Sequence, residues 1–131
     1  NIFAKILRGE IPSIKVYEDD ATLAFMDIMP QVEGHVLVIP KAQATTMYDL
    51  PADAASACIK TVQHVGQAVQ KAMQIDGSTV FQHNGAAAGQ TVPHFHFHIL
   101  PGSLLALKGH ATEMGDPAEL QKIADKIIAC L

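Results

Sequence analysis

The sequence is poor in the residues that mark several classes of protein. It has no tryptophan, and its two cysteines, Cys58 and Cys130, are too few for a disulfide framework. It has no CxxC pair that would indicate a thiolate zinc site. We therefore expect Cys58 to be a core residue of a helix and the chain to be cytoplasmic.

Basic residues and long apolar runs are scarce as well. Nine Lys and Arg residues against 13 Asp and Glu residues give a formal net charge of −4, and the basic residues form no cluster. Nucleic acid binding needs a basic face that displaces counterions, so no nucleic acid partner is predicted. No apolar run reaches 18 residues, so no membrane-spanning segment is expected. The net charge does not exclude small anionic ligands, because backbone N–H groups and histidines can hold a single phosphate.

The hydrophobic pattern indicates one α+β domain. With 131 residues, 49% of them hydrophobic, residues 1–131 are expected to form a single domain with a sizeable core. The pattern predicts a five-stranded, mostly antiparallel sheet, with strands at 14–19, 22–27, 35–40, 78–84 and 94–100. It predicts a short amino-terminal helix at 2–8, a long central helix at 51–73 and a carboxy-terminal helix at about 117–130. The last helix is predicted to begin with Asp116 as its cap, Pro117 at its first position and Glu119 as the capping-box partner.

The most informative segment is VPHFHFHILP, residues 92–101, in which three of the seven histidines alternate with apolar residues. Residues two apart in a strand share a face. One face of this predicted strand therefore carries His94, His96 and His98. The opposite face, which is predicted to pack into the core and to hold the strand rigidly, carries Phe95, Phe97 and Ile99.

Three interpretations of these histidines are open from the residues alone. A polar face made of histidine by chance is improbable, because all three outward positions are histidine. A zinc site with three histidines would be hydrolytic, but a single flat strand spreads imidazoles too widely for three to reach one ion. The third interpretation is nucleophilic attack on phosphorus, because a neutral imidazole is a good nucleophile near pH 7 and can form a covalent intermediate.

The loop before this segment favours the third interpretation. Residues 85–93, GAAAGQTVP, place glycines where the backbone can approach a ligand closely. Gln90 and Thr91 follow as hydrogen-bonding side chains. The loop lacks the Gly-Lys-Ser/Thr ending of a Walker-type phosphate loop and precedes a strand rather than a helix.

The chain resembles the histidine triad (HIT) superfamily, whose signature of alternating histidines is present as HFHFHIL. It is similar to the Hint branch, the purine nucleoside phosphoramidases, in its amino-terminal segment IFAKILRGEIPSIKVYEDDATLAFMDIMPQVEGHVLVIPK and in its catalytic segment FQHNGAAAGQTVPHFHFHILPG. The resemblance implies a HIT-like fold that cleaves nucleoside monophosphate conjugates of AMP or GMP without a metal or other cofactor. It also implies a homodimer in which the long helix and the strand before it pair across a two-fold axis to give a ten-stranded sheet.

The resemblance further implies roles for individual residues. It makes His96 the nucleophile that attacks the α-phosphorus, and His98 a phosphate ligand that shares in protonating the leaving group. It makes the carbonyl of His94 the group that orients His96, with the His94 side chain meeting His35. Asp27 is implied to bind the ribose hydroxyls. The remaining nucleotide-binding positions implied are the loop residues Asn84, Gly89, Gln90, Thr91 and Val92, and the apolar walls Ile2, Phe3, Ile6, Ile11, Phe25 and Ile28.

Two departures from the family pattern leave the leaving group undetermined. Animal Hint proteins end in a short tail with a tryptophan that reaches the partner's site, whereas this chain has no Trp and continues for 30 residues after Pro101, as bacterial members do. Met26 stands where many Hint members carry histidine. The expected substrates are adenosine or guanosine 5′-phosphoramidates, or mixed anhydrides such as aminoacyl adenylates. The alternatives are hydrolysis of diadenosine polyphosphates, as in the Fhit branch, and purine nucleotide binding with weak catalysis.

Overall fold

In the computed structural model, which describes residues 1–106 and 113–131, five strands form one open sheet. The strands are β1 (Lys15–Glu18), β2 (Thr22–Met26), β3 (Val36–Pro40), β4 (Ser78–Phe81) and β5 (Phe97–Pro101). The helices are α1 (Ile2–Leu7), α2 (Ala52–Met73) and α3 (Pro117–Ala129). The predicted α+β fold is confirmed, and the described strands pair antiparallel in the order β1-β2-β3-β5-β4.

The helices α2 and α3 cover one face of the sheet. The apolar residues of α2 recur at steps of three and four, so that Cys58, Val62, Val65 and Val69 are all buried on one stripe. They share a core cluster with strand residues and with the apolar stripe of α3. No helix in the described ranges is long and apolar enough to cross a membrane.

The cap of α3 follows the sequence pattern. Pro117 is at the first helical position, and the Asp116 side chain accepts a hydrogen bond from the backbone N–H of Glu119 at 3.3 Å. A carboxylate there satisfies one of the free donors of the first turn. The helix therefore begins at the predicted residue.

The opposite face of the sheet carries a smaller apolar cluster and the helix α1. The cluster consists of Phe3, Leu23, Phe25, Leu37 and Ile39. The strand register places Phe25 opposite Leu37, Leu37 opposite His98, and His98 opposite Phe81. These four paired residues form one row across the sheet, and the row has a histidine instead of an apolar residue at β5.

The strand β5 is shorter than predicted, because it begins at Phe97 rather than at residue 94. In the register that pairs Val38 with Phe97, Pro40 would stand opposite Phe95, and proline has no N–H to donate. The N–H of Phe95 instead donates to the carbonyl of Ala44 at 2.8 Å. The prediction of one strand face lined by three histidines is therefore wrong, since two of them precede the strand.

The prediction for the apolar half of the segment is confirmed. Phe95, Phe97 and Ile99 all belong to the core cluster beneath α2, and the two phenylalanine rings meet edge to face at 5.2 Å. These side chains fix the backbone on either side of His96 and His98.

The two edges of the sheet are β1 and β4, and β3 lies between β2 and β5. The strand before the long helix is β3, so both of its sides are already occupied by neighbouring strands. The implied dimer contact through that strand is therefore wrong, and of the described strands only β1 and β4 can extend the sheet.

Replacing Phe95 with alanine should lower the free energy of unfolding by about 3–5 kcal/mol, because it leaves a cavity under the segment that carries His94 and His96. Urea unfolding followed by circular dichroism measures this change. Tyr48→Ala is the control, because that ring is 86% exposed, and it should change the free energy by less than about 0.5 kcal/mol. Equal effects of the two substitutions would contradict the packing role of Phe95.

Candidate active site

A cavity of about 430 Å³ opens on the face of the sheet that carries α1. Its apolar wall includes all six residues implied by the resemblance, Ile2, Phe3, Ile6, Ile11, Phe25 and Ile28. The polar side carries Asp27, His35, His83, His96 and His98. The loop after β4 contributes Gly89, Thr91 and Val92. The site therefore joins an apolar pocket to a group of four imidazoles.

Gln90 shapes the loop beside the cavity and does not line it. Its side-chain oxygen accepts the N–H of Gly85 at 2.7 Å, and its amide nitrogen donates to the carbonyls of Thr45 at 2.7 Å and Val92 at 2.9 Å. The two glycines that bound the short 3-10 turn, Gly85 at φ 95° and Gly89 at φ 103°, adopt left-handed backbone conformations. The loop is thus held from within by one buried side chain.

Asn84 and His94 also lie outside the cavity lining. The Asn84 side-chain oxygen accepts the N–H of Met47 at 2.8 Å. His94 is buried, and its Nε2 lies 3.1 Å from the carbonyl oxygen of Pro40. A carbonyl only accepts, so His94 carries its proton on Nε2, and its Nδ1 has no partner among the described residues. The implied contact between the side chains of His94 and His35 is therefore wrong.

The His94 carbonyl sets the protonation of His96. The His96 Nδ1 lies 2.6 Å from that oxygen, which confirms the implied hydrogen bond and requires Nδ1 to carry the proton. Burial lowers the pKa of His96, and the hydrogen bond to the carbonyl partly opposes that shift. The ring is 5% exposed and meets Phe3 edge to face at 5.0 Å. A neutral imidazole with an unprotonated Nε2 is the form that can attack an electrophile.

A second series of hydrogen bonds sets the protonation of His35 and His98. The backbone N–H of Gln31 donates to Nδ1 of His35 at 3.1 Å, so the neutral ring carries its proton on Nε2. That Nε2 lies 2.9 Å from Nδ1 of His98. His35 therefore donates to His98, which leaves the proton of neutral His98 on its own Nε2. His98 lines the cavity as a hydrogen-bond donor, beside the nucleophile-like ring of His96.

The side chains of Asp27 and His35 have pKa values shifted in opposite directions. Burial raises the pKa of Asp27 to about 6, although its hydrogen bond from the Met29 N–H opposes the shift. Burial, and then the charge of His96, lower the pKa of His35 to about 4. Asp27 Oδ2 is 3.5 Å from His35 Nε2. His35 is neutral at pH 7, because a doubly protonated ring could not accept the Gln31 N–H.

Asp27, His35 and His98 are close enough to suggest a metal site, since one ligand atom from each lies within 4.8 Å of the others. The hydrogen bonds argue against it. A ligating Nε2 on His35 would move the proton to Nδ1, where it would face the N–H of Gln31. The three histidines of the sequence motif do not form such a group among the described residues. The arrangement suits proton placement better than metal binding.

Sequence reasoning missed two residues that line the cavity, Phe81, the last residue of β4, and His83, two residues after it. The Phe81 ring stacks on His98 with 4.4 Å between centroids and 8° between planes. The His83 ring lies 5.8 Å from that of His98. Alternation along the predicted strand 78–84 places residues 81 and 83 on one face. The missing information was that β4 lies next to β5.

The chain is similar in sequence and in structure to known proteins. The HIT domain family matches residues 8–104. An adenosine 5′-monophosphoramidase from Saccharomyces cerevisiae is 40% identical over 100 residues, which cover 76% of this chain and 61% of that protein. An adenylylsulfatase from Arabidopsis thaliana is 41% identical over 100 residues, 76% of this chain and 51% of that protein. The structure of a Hit-like protein from Bartonella henselae is 49% identical, with a TM-score of 0.89 over 100% of this chain and 96% of that chain.

The opposite shifts of Asp27 and His35 predict opposite pH dependences of stability. The raised pKa of Asp27 means that the folded chain binds more protons, so this group lowers the free energy of unfolding as pH rises from about 4 to 6. The lowered pKa of His35 makes that free energy rise with pH from about 4 to 6.5. Each contribution is about 3 kcal/mol, so the two largely cancel in the unsubstituted protein.

Asp27→Asn should therefore make stability rise more steeply with pH across this range, and His35→Gln should make it fall. Urea unfolding of both variants and the unsubstituted protein at pH 4.5, 5.5 and 6.5 measures the slopes. If both substitutions changed the slope of unfolding free energy against pH in the same direction, the protonation states would be assigned wrongly.

Proposed function

Because the chain belongs to the HIT domain family, we propose that it hydrolyses nucleoside 5′-phosphoramidates or related nucleoside monophosphate conjugates through a covalent intermediate on His96. One observation carries the proposal. The 2.6 Å contact between His96 Nδ1 and the His94 carbonyl leaves an unprotonated Nε2 on a ring that lines the cavity. An imidazole held in this form needs no separate base before it attacks phosphorus.

The nucleotide is proposed to lie across the strands of the sheet. The purine occupies the apolar wall between α1 and β2, and the ribose hydroxyls meet the carboxylate of Asp27, which can accept two hydrogen bonds. The phosphate lies at the start of β5, where His98 and Thr91 donate to its oxygens. Gln90 and Asn84 support this phosphate-side loop, since their described hydrogen bonds join it to the segment after β3.

The proposed reaction has two halves. In the first, a P–N bond forms between His96 and the α-phosphorus as the bond to the leaving group breaks, and an amine leaving group takes a proton as it departs. In the second, water attacks phosphorus, the bond to His96 breaks and the nucleoside monophosphate leaves. Water supplies one proton overall, and His98 is placed to relay it, because its ring lies 4.9 Å from that of His96.

The two curated relatives support an adenylyl group as the part that is recognised. Their names, adenosine 5′-monophosphoramidase and adenylylsulfatase, share that group and differ in what is bonded to its phosphorus. The apolar wall on this chain is consistent with a purine. We therefore propose AMP conjugates as the first substrates to test, with GMP conjugates as the comparison.

A homodimer is proposed as well, through the edge strand β4. The helix α2 packs mainly over β2, β3 and β5. On β4, Val80 pairs with Ile99 of the core but is itself 43% exposed. An edge strand with an uncovered apolar side chain can pair with a second copy of itself, which would join two five-stranded sheets into one of ten strands.

His96→Ala should reduce turnover of adenosine 5′-phosphoramidate by several powers of ten while AMP still binds, since the nucleophile is lost and the pocket is kept. Product release measures turnover, and an acid quench after incubation with labelled substrate detects the nucleotide bonded to the protein. His64→Ala is the matched control, because His64 lies exposed on α2, and it should keep full activity and the adduct. Near-normal turnover in the His96 variant would refute the proposed nucleophile.

Sedimentation at micromolar concentration should give twice the chain mass of 14.0 kDa. Val80→Asp should shift the protein towards the monomer, because two carboxylates would face each other at the paired edges. Val80→Thr keeps a β-branched residue without charge and should remain dimeric. A monomeric unsubstituted protein would rule out the proposed assembly.

A further inference from the structure

The proposed reaction leaves Phe81 and His83 without a function, although both line the cavity. Phe81 is the last residue of β4, and His83 follows it by two residues. The strand β4 lies on the far side of β5 from β3. Phe81 stacks flat on His98, and His83 meets both rings, with centroids 5.3 Å from Phe81 and 5.8 Å from His98. The two residues therefore form the cavity wall beyond the imidazoles.

The order of strands determines which part of a substrate reaches this wall. The register row crosses the sheet from Phe25 on β2, through Leu37 on β3 and His98 on β5, to Phe81 on β4. With the base and ribose over β2 and β3, and the phosphorus at β5, the group on the other side of phosphorus lies over β4. This placement rests on the nucleotide orientation of the proposed function.

His83 is the hydrogen-bond donor at this end of the cavity. The described residues that line the cavity include no Lys or Arg, and the carboxylate of Asp27 lies at the ribose end. Phe81 offers only an apolar ring. An imidazole carries at least one N–H in every common protonation state, so a negatively charged group over β4 would meet the His83 donor and no carboxylate.

The stacked arrangement also limits what His98 can do for the leaving group. One face of its ring is covered by Phe81, and its Nδ1 is engaged by His35. These contacts fix the ring plane, so His98 cannot turn to follow a group that departs over β4. His83, 5.8 Å further on, is placed to meet that group.

We propose that Phe81 and His83 form a leaving-group subsite that favours oxyanions, with His83 as the specificity-determining residue. When sulfate leaves from adenosine 5′-phosphosulfate, the P–O bond breaks and the oxygen keeps the electron pair, while His96 forms the P–N bond. The sulfate departs as a dianion and needs no proton, so a hydrogen-bond donor beside it is sufficient. An amine leaving group instead needs a proton, which the proposed reaction delivers through His98.

The test uses three substrates that separate the effect of the leaving group's charge from the effect of its size. Adenosine 5′-phosphosulfate has an anionic leaving group, adenosine 5′-phosphoramidate a small uncharged one, and adenosine 5′-phosphomorpholidate a bulky uncharged one. The unsubstituted protein and its variants His83→Ala, His83→Lys and His64→Ala are compared by kcat/KM on all three. The exposed His64 provides the matched histidine control.

His83→Ala should lower the ratio of kcat/KM for the phosphosulfate to kcat/KM for each uncharged conjugate about tenfold, the size of one charge-assisted hydrogen bond. His83→Lys should restore the preference, and His64→Ala should have no effect. If the adduct on His96 still forms but His83→Ala lowers kcat/KM equally on all three substrates, or changes none of them, the proposed subsite is overturned. Absence of any adduct in the unsubstituted protein would overturn the proposed function and the subsite together.

Discussion

The hydrogen bond from His96 Nδ1 to the carbonyl of His94, 2.6 Å long, is the interaction on which the chemistry of the site depends. It forms where residues 94–96 lie outside the β-ladder. The ladder stops there because Pro40 stands opposite Phe95 and has no N–H. The buried rings of Phe95 and Phe97 then hold this irregular segment as firmly as a strand.

Hydrogen bonds also determine which ring nitrogen carries the proton in two other histidines on the polar side of the cavity. The N–H of Gln31 makes His35 a donor towards His98, and His98 in turn keeps a proton for the cavity. His96 and His98, with centroids 4.9 Å apart, therefore offer opposite hydrogen-bonding character to a ligand between them. One presents a lone pair and the other an N–H.

The sequence was sufficient for the elements and for the core, because alternation and helical periodicity depend on burial alone. It placed α2 and α3 within a residue or two and identified Phe95, Phe97 and Ile99 as core. The start of β5 could not be predicted, since it depends on which β3 residue stands opposite. The six apolar residues of the cavity wall came from family resemblance, because pattern alone does not separate a pocket wall from ordinary packing.

The partner of His35 was missed for a related reason. Which of several histidine rings a buried imidazole meets depends on the order of strands, and β5 rather than the preceding loop supplies it. Phe81 and His83 were missed because alternation within β4 does not show which β5 side chains they meet. The strands β3 and β5, which α2 separates in the chain, are neighbours of the kind that a single sequence shows least clearly.

The groups that fix these protons, the N–H of residue 31 and the carbonyls of residues 40 and 94, all belong to peptide units. Nearly every codon change at those positions leaves a peptide unit in place, and only proline at residue 31 would delete the donor. The site is therefore insensitive to most single substitutions at residues 31 and 94 as far as these two backbone groups are concerned. Pro40 differs, because any replacement of it would supply the N–H whose absence ends the ladder opposite Phe95.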